Sequence, residues 1–233
     1  MTSIVRSSLA AAALASLNVP VNAAEFSGYL TLTTDYVWRG VTQSDGDPAL
    51  QLGGEASFRS GFYAGLWGST IDIDTGGDRQ RDAEVNYYAG YGHDVSAQWT
   101  LGLSAVAYTY PGQTGPIDYN YEEYALSVNY DDRVWLEYAY SPDYWGLGIE
   151  SHNVELISEW LAGEHLVLGA AVGYFDFLGF LDDSYAYWDL GATWPVNRFS
   201  IDVRYHDTSG PVFIVSTPDR ADARVVLSLR ITF

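Results

Sequence analysis

Residues 224–233 read RVVLSLRITF, ten side chains that sort by position into two kinds. Val225, Leu227, Leu229, Ile231 and Phe233 fall on one set of alternate positions, and Arg224, Ser228, Arg230 and Thr232 on the other. Consecutive side chains of a β-strand point to opposite faces, so a strand held between two unlike media writes a period of two. The same zigzag recurs upstream. Leu166, Leu168, Ala170, Val172 and Tyr174 share one parity. Phe199, Ile201, Val203 and Tyr205 stand against Arg198, Ser200, Asp202 and Arg204.

Extended toward the N-terminus, this pattern predicts an all-β chain of about 12 strands. They fall near residues 26–39, 48–59, 61–71, 81–92, 97–110, 119–130, 133–141, 152–161, 165–175, 185–195, 198–207 and 222–233. The segment 61–71 is apolar on both parities (Phe62 and Leu66; Tyr63 and Trp67), so its facing stays open. Connections alternate between short and long. Short ones fall at Ser60-Gly61, Gly92–Ser96, Asp131-Asp132, Ala162–Glu164 and Pro195–Asn197, and longer ones near 40–47, 72–80, 111–118, 142–151, 176–184 and 208–221. Tight turns at one rim and long loops at the other predict a transmembrane antiparallel up-and-down β-barrel occupying residues 24–233.

A soluble barrel also alternates, with its apolar face inward, so two further features decide the facing. Aromatic rings sort by height on the apolar parity. Tyr36, Trp38, Tyr138, Tyr140, Tyr174 and Tyr205 are expected at the loop ends of their strands. Trp99, Tyr130, Trp160, Trp194, Phe199 and Phe233 are expected at the turn ends. Two girdles of rings with aliphatic residues between them match a lipid-facing belt. The opposite parity carries Glu55, Glu84, Glu137, Glu155, Asp189, Asp202, Arg204 and Arg230. In a dry soluble core these charges would be costly, whereas in a wet lumen they are hydrated and paired.

Composition agrees. The chain has 233 residues and a formal net charge of −19, with 30 acids against 11 bases, all of them arginine. Such a surface excludes nucleic acid as a partner, because phosphate binding needs basic charge. Residues 1–23 are set aside as a signal peptide, with Arg6 as a thin basic start, the apolar run Leu9–Leu17 and a cut after Ala23. That apolar run is too short to span a bilayer as a helix, which needs about 20 residues. Cysteine is absent, which excludes a disulfide scaffold and an acylated lipoprotein.

The stretch SGYLTLTTDYVWRGVTQSDGDPALQ, residues 27–51, resembles the start of the TorF-type porins. These are a proteobacterial outer-membrane barrel family formerly of unknown function. The likeness is carried by Tyr36-x-Trp38-Arg39-Gly40 followed by Gln43-Ser44, and length and strand rhythm fit along the mature chain. The last strand, Val225, Leu227, Leu229, Ile231 and Phe233, is also similar to the terminal strand by which outer-membrane proteins are recognised for assembly. The resemblance implies a barrel, a channel, an outer-membrane location in a Gram-negative bacterium, and contact with outer-membrane lipids and the barrel-assembly machinery. It supplies no catalytic residues.

Read as a pore, twelve strands tilted by roughly 40° close into a barrel about 24 Å across, leaving on the order of 10 Å between side chains. Asp35, Arg39, Glu55, Glu84, Glu137, Glu155, Asp189, Asp202, Arg204 and Arg230 are the expected lining. Their net acidity predicts passage of small solutes with a preference for cations. Arg39, Arg204 and Arg230, on the first, eleventh and twelfth strands, would form a basic strip facing acidic strands. A lumen filled by ion pairs, giving a non-conducting structural or adhesion barrel, is the alternative, with Pro211–Val215 as an apolar loop segment for a partner.

A hydrolase is the other alternative. It would draw on His152 or His206 near the loop rim, but neighbouring His206 and Asp207 face opposite ways on a strand and make no dyad by spacing. Asp72-Ile73-Asp74-Thr75-Gly76-Gly77-Asp78 spaces carboxylates like part of a calcium loop but lacks the later bidentate Glu. It reads as a solvated loop, and neither a metal nor a cofactor is expected.

Overall fold

The computed structural model describes residues 24–74, 79–113, 118–178, 184–210 and 218–233. Residues 1–23, expected to be a signal peptide, residues 75–78 of the acidic loop and Pro211–Val215 lie outside the described residues.

The elements follow chain order. Those that form the wall are β1 (Ala24–Thr33), β4 (Ala49–Phe58), β5 (Phe62–Asp74), β6 (Arg79–Asp94), β7 (Trp99–Thr109) and β8 (Tyr121–Tyr130), followed by β9 (Val134–Ser141), β10 (Glu150–Ala162), β11 (Leu166–Leu178), β12 (Tyr185–Val196), β13 (Phe199–Thr208) and β14 (Arg224–Thr232). Two short strands, β2 (Val37–Trp38) and β3 (Val41–Thr42), pair only with each other. The twelve wall strands form one closed antiparallel barrel in which every strand pairs with its neighbours in order. Closure joins β1 to β14 from Tyr29↔Thr232 to Thr33↔Ser228. Phe233 then exchanges both backbone hydrogen bonds with Gly28, each 2.9 Å, so the last residue sews the first strand to the last.

The expected facing holds strand by strand. Leu190, in the middle of β12, is 64% exposed on the outer surface, while Glu84, pointing inward from β6, is 3% exposed. Leu103, Leu126, Val172, Leu227 and Leu229 likewise face out. Water would penalise this surface by roughly 25 cal/mol for each Å² of apolar area, and hydrocarbon removes that penalty. Tyr138, Tyr174 and Tyr205 are exposed at loop ends, and Trp99, Tyr130, Trp160, Trp194, Phe199 and Phe233 at turn ends. The open segment 61–71 resolves with Phe62 and Leu66 outward and Trp67 buried inward.

Inward glycines have a reason in the register. Tyr29 lies opposite Gly53, and Tyr187 opposite Gly173. In each case the ring lies where a Cβ would stand, within 2.5 Å of that position at Gly53, so a bare backbone makes room for a flat ring.

The first strand departs from expectation. Strand 26–39 ends early, at Thr33. Tyr36 and Trp38 keep their period-two spacing past that point, which makes them look like girdle residues, but they leave the wall altogether. Tyr36 is 2% exposed, and Trp38 packs against the buried cluster of rings. Asp35 and Arg39 therefore do not line the bore from the first strand. The chain turns into the bore, forms the β2–β3 hairpin, and returns to the wall at Ala49.

Candidate functional site: a hairpin across the lumen

The hairpin turns at Arg39-Gly40, with Trp38 paired to Val41 and Val37 to Thr42. Both turn residues have positive φ, +47° and +81°. That is the requirement of the two-residue turn whose twist suits a β-hairpin, and Gly40 meets it at no steric cost. Gly40 is also pressed against the wall: a Cβ there would stand 2.5 Å from Thr208 Cγ2 and 2.9 Å from Tyr187 Cβ.

Two ion pairs anchor the hairpin. At its base Asp35 Oδ2 accepts from Arg224 of β14 at 2.8 Å, while Asp35 Oδ1 accepts from the Thr42 hydroxyl at 2.5 Å and the Ser44 hydroxyl at 2.9 Å. At its tip the Arg39 guanidinium forks onto Glu123 of β8, both bonds 2.8 Å. In the closed order of twelve strands, β8 and β14 are six steps apart in either direction. They are opposite walls. A segment tied to both must lie across the bore.

Aromatic contacts fill the remaining directions. Tyr36 meets Trp67 of β5 edge-on, with centroids 5.2 Å apart, and its hydroxyl donates to Glu84 of β6 at 3.4 Å. Trp38 contacts Tyr108 of β7, Phe175 of β11 and Tyr144 of the 3-10 turn Tyr144–Gly146. The Tyr185 hydroxyl of β12 donates to the Arg39 carbonyl at 3.1 Å. The guanidinium itself lies 4.2 Å from the Trp38 ring centre and 4.8 Å from that of Phe175, two cation–π contacts from rings set at right angles to each other. Burial works to lower the Arg39 pKa, but the Glu123 carboxylate more than offsets it and holds the group well above its ordinary value. The charge stays.

Beneath the hairpin, toward the turn rim, lies a cavity of about 130 Å³. Its lining carries Asp35, Glu123, Glu137, Glu155, Asp189 and Asp202 against Arg39 and Arg204. Glu137 and Glu155 are direct cross-strand partners on β9 and β10. Arg204 bridges Asp189 at 2.5 Å and Asp202 at 3.0 Å. The cavity therefore gathers seven of the ten residues the sequence singled out.

The other three face inward elsewhere. Glu55 accepts from Tyr88 at 3.2 Å, and Glu84 accepts from Asn86 at 2.6 Å. Arg230 donates to Thr31 at 2.9 Å, with its guanidinium 4.3 Å from the Tyr29 ring centre. The expected basic strip is not formed, because Arg39 is carried to β8 by the hairpin and Arg204 is enclosed by its own two aspartates. Sequence reasoning missed Glu123, Tyr108 and Phe175. The signal for Glu123 was available: an outward Tyr130 puts Glu122 outside and Glu123 inside.

His206 lines the cavity, whereas His152 lies on the outward parity of β10 with its Nδ1 2.7 Å from the Tyr138 hydroxyl. The two histidines sit on different faces of the wall.

A closed barrel, apolar outside and charged within, has the architecture of the outer-membrane β-barrels. The chain belongs to the family described as "Bacterial protein of unknown function (Gcw_chp)", whose profile matches residues 18–233. A search of curated proteins finds no match. Among solved structures the fold is similar to the KdgM porin in complex with disordered oligogalacturonate, with TM-score 0.58, 8% identity, and coverage of 89% of this chain and 99% of that one. It is also similar to the NanC porin, with TM-score 0.57, 8% identity, and coverage of 89% and 98%. At such identity the likeness is one of fold.

Proposed function

We propose that this protein is an outer-membrane channel of a Gram-negative bacterium, of the TorF type, passing small solutes or ions with a preference for cations. In this reading residues 1–23 direct export, the strand ending at Phe233 is recognised by the barrel-assembly machinery, and the outer belt meets membrane lipid. The observation that carries it is the inverted surface, with leucines exposed outside and carboxylates inside. The porin folds of KdgM and NanC support it. Cation preference follows from the cavity, where six acids face two arginines. Rings of carboxylate favour cations at close range.

The test is reconstitution of residues 24–233 in planar bilayers with a salt gradient. The expected result is discrete current steps with a reversal potential on the cation side, moving toward zero in Glu137→Gln/Glu155→Gln. An anion-side potential would contradict the preference. A second reading, a non-conducting structural or adhesion barrel, is favoured by the hairpin lying across the bore, and the absence of current from a folded barrel would select it.

A further inference from the structure

We propose that the wall formed by Glu123, Tyr108 and Phe175 is a guanidinium-binding site, filled in this conformation by the chain's own Arg39, and that free guanidinium-bearing solutes bind there when Arg39 does not occupy it. As a station for permeating solutes it rests on the channel reading; as a binding site it rests on geometry.

The host and the guest come from different parts of the fold. Glu123, Tyr108 and Phe175 stand on β8, β7 and β11, in the rigid wall. Arg39 arrives on the tip of a hairpin whose strands are two residues each. Its two terminal nitrogens meet the two oxygens of Glu123 at 2.8 Å each. That fork is the geometry a planar guanidinium makes and a point-charge ammonium does not. Phe175 presents a ring 4.8 Å from the guanidinium carbon, and the Tyr108 hydroxyl donates to Glu123 Oε1 at 3.4 Å, holding the carboxylate in place. All three groups belong to wall strands and none to the hairpin, so replacing Arg39 removes none of them.

The guest's backbone points the same way. Arg39 sits at φ +47°, a left-handed conformation that suits Gly, Asn or Asp at this turn position. A residue held against its backbone preference marks a side chain kept for what it does. Below it the cavity opens onto Glu137 and Glu155, so a cation leaving Glu123 toward the turn rim meets carboxylates next.

The experiment uses the barrel with Arg39→Gly, a change that the positive φ welcomes and that empties the site. Methylguanidinium chloride is the probe, and methylammonium chloride at the same millimolar concentration is the control. Methylguanidinium is expected to raise the Tm of the Arg39→Gly barrel in detergent and to cut its bilayer current about twofold at half-saturation. Methylammonium should do neither. Wild type, with the site occupied, should not respond, nor should Arg39→Gly/Glu123→Gln. An equal response to methylammonium, a response that survives Glu123→Gln, or no Tm shift at all would overturn the site. If the Tm shift appears while neither wild type nor Arg39→Gly carries current, the channel reading falls and the site stands. If current flows without a Tm shift, the site falls and the channel reading stands.

Discussion

The two halves of the bore are built differently. On the loop side the inward residues are buried: Glu84 and Asn86 on β6, Val106 and Tyr108 on β7, Tyr185 and Tyr187 on β12. On the turn side of the same strands most inward positions, Tyr88, Gly90, Ser104, Gly102 and Gly191, are partly open to solvent, while Thr193 of β12 stays buried in a hydrogen bond to Asp202. The wall is continuous, with the same strands and the same alternation. What changes is the filling: the hairpin brings Tyr36, Trp38 and Arg39 into the loop half, and the turn Tyr144–Gly146 adds Tyr144, whose ring meets Trp38, Tyr121, Phe175 and Phe177. The closed half is thus made by two short inserted segments, and the open half shows what the wall looks like without them.

That difference can be broken at several points. The largest effect is expected from Glu123→Ala. Removing one partner of a buried ion pair leaves the other uncompensated, at a cost of about 3–5 kcal/mol. Because the barrel wall does not depend on Arg39, the loss should fall on the hairpin. Amides of residues 35–44 should exchange with solvent far faster, while those of β10 to β13 stay protected.

Gly40→Ala comes next. It adds a methyl 2.5 Å from Thr208 Cγ2 at a φ of +81°, and should loosen the hairpin by on the order of 1–3 kcal/mol. Faster exchange at Val37 and Val41 in the same measurement is the expected readout.

The smallest effect belongs to the open half. Glu55 is only partly buried and accepts a hydrogen bond from Tyr88, which an amide oxygen can also accept. Glu55→Gln should therefore change barrel stability in denaturant by no more than about 0.5 kcal/mol. A large loss there would mean that the turn half is as tightly packed as the loop half.

Most of the wall was legible in the sequence because each of its strands is a boundary between hydrocarbon and a polar lumen, and such a boundary writes itself residue by residue. Leu166 to Tyr174 and Phe199 to Tyr205 needed no knowledge of their neighbours. The hairpin was illegible for the opposite reason. Tyr36 and Trp38 continue the outward parity of Leu30 and Leu32, and nothing local says that the wall has ended. What holds them is distant: Arg39 finds Glu123 84 positions along the chain, and Asp35 finds Arg224 189 positions along. Arginine is also not a residue that announces a left-handed turn. The very motif that carried the family resemblance, Tyr36-x-Trp38-Arg39-Gly40 with Gln43 and Ser44, is this inserted segment. Its Ser44 hydroxyl binds Asp35, and its Gln43 carbonyl accepts from Asp72 at 2.8 Å.

Single-channel conductance of the barrel with residues 36–43 replaced by a short Gly-Ser turn, set beside the wild type in the same bilayer and salt, addresses the hairpin most directly. If the segment between Asp35 and Ser44 bars the bore from β14 to β8, the replacement should conduct severalfold more than the wild type. Equal conductance from two equally folded barrels would show that the passage runs elsewhere and that the hairpin closes nothing.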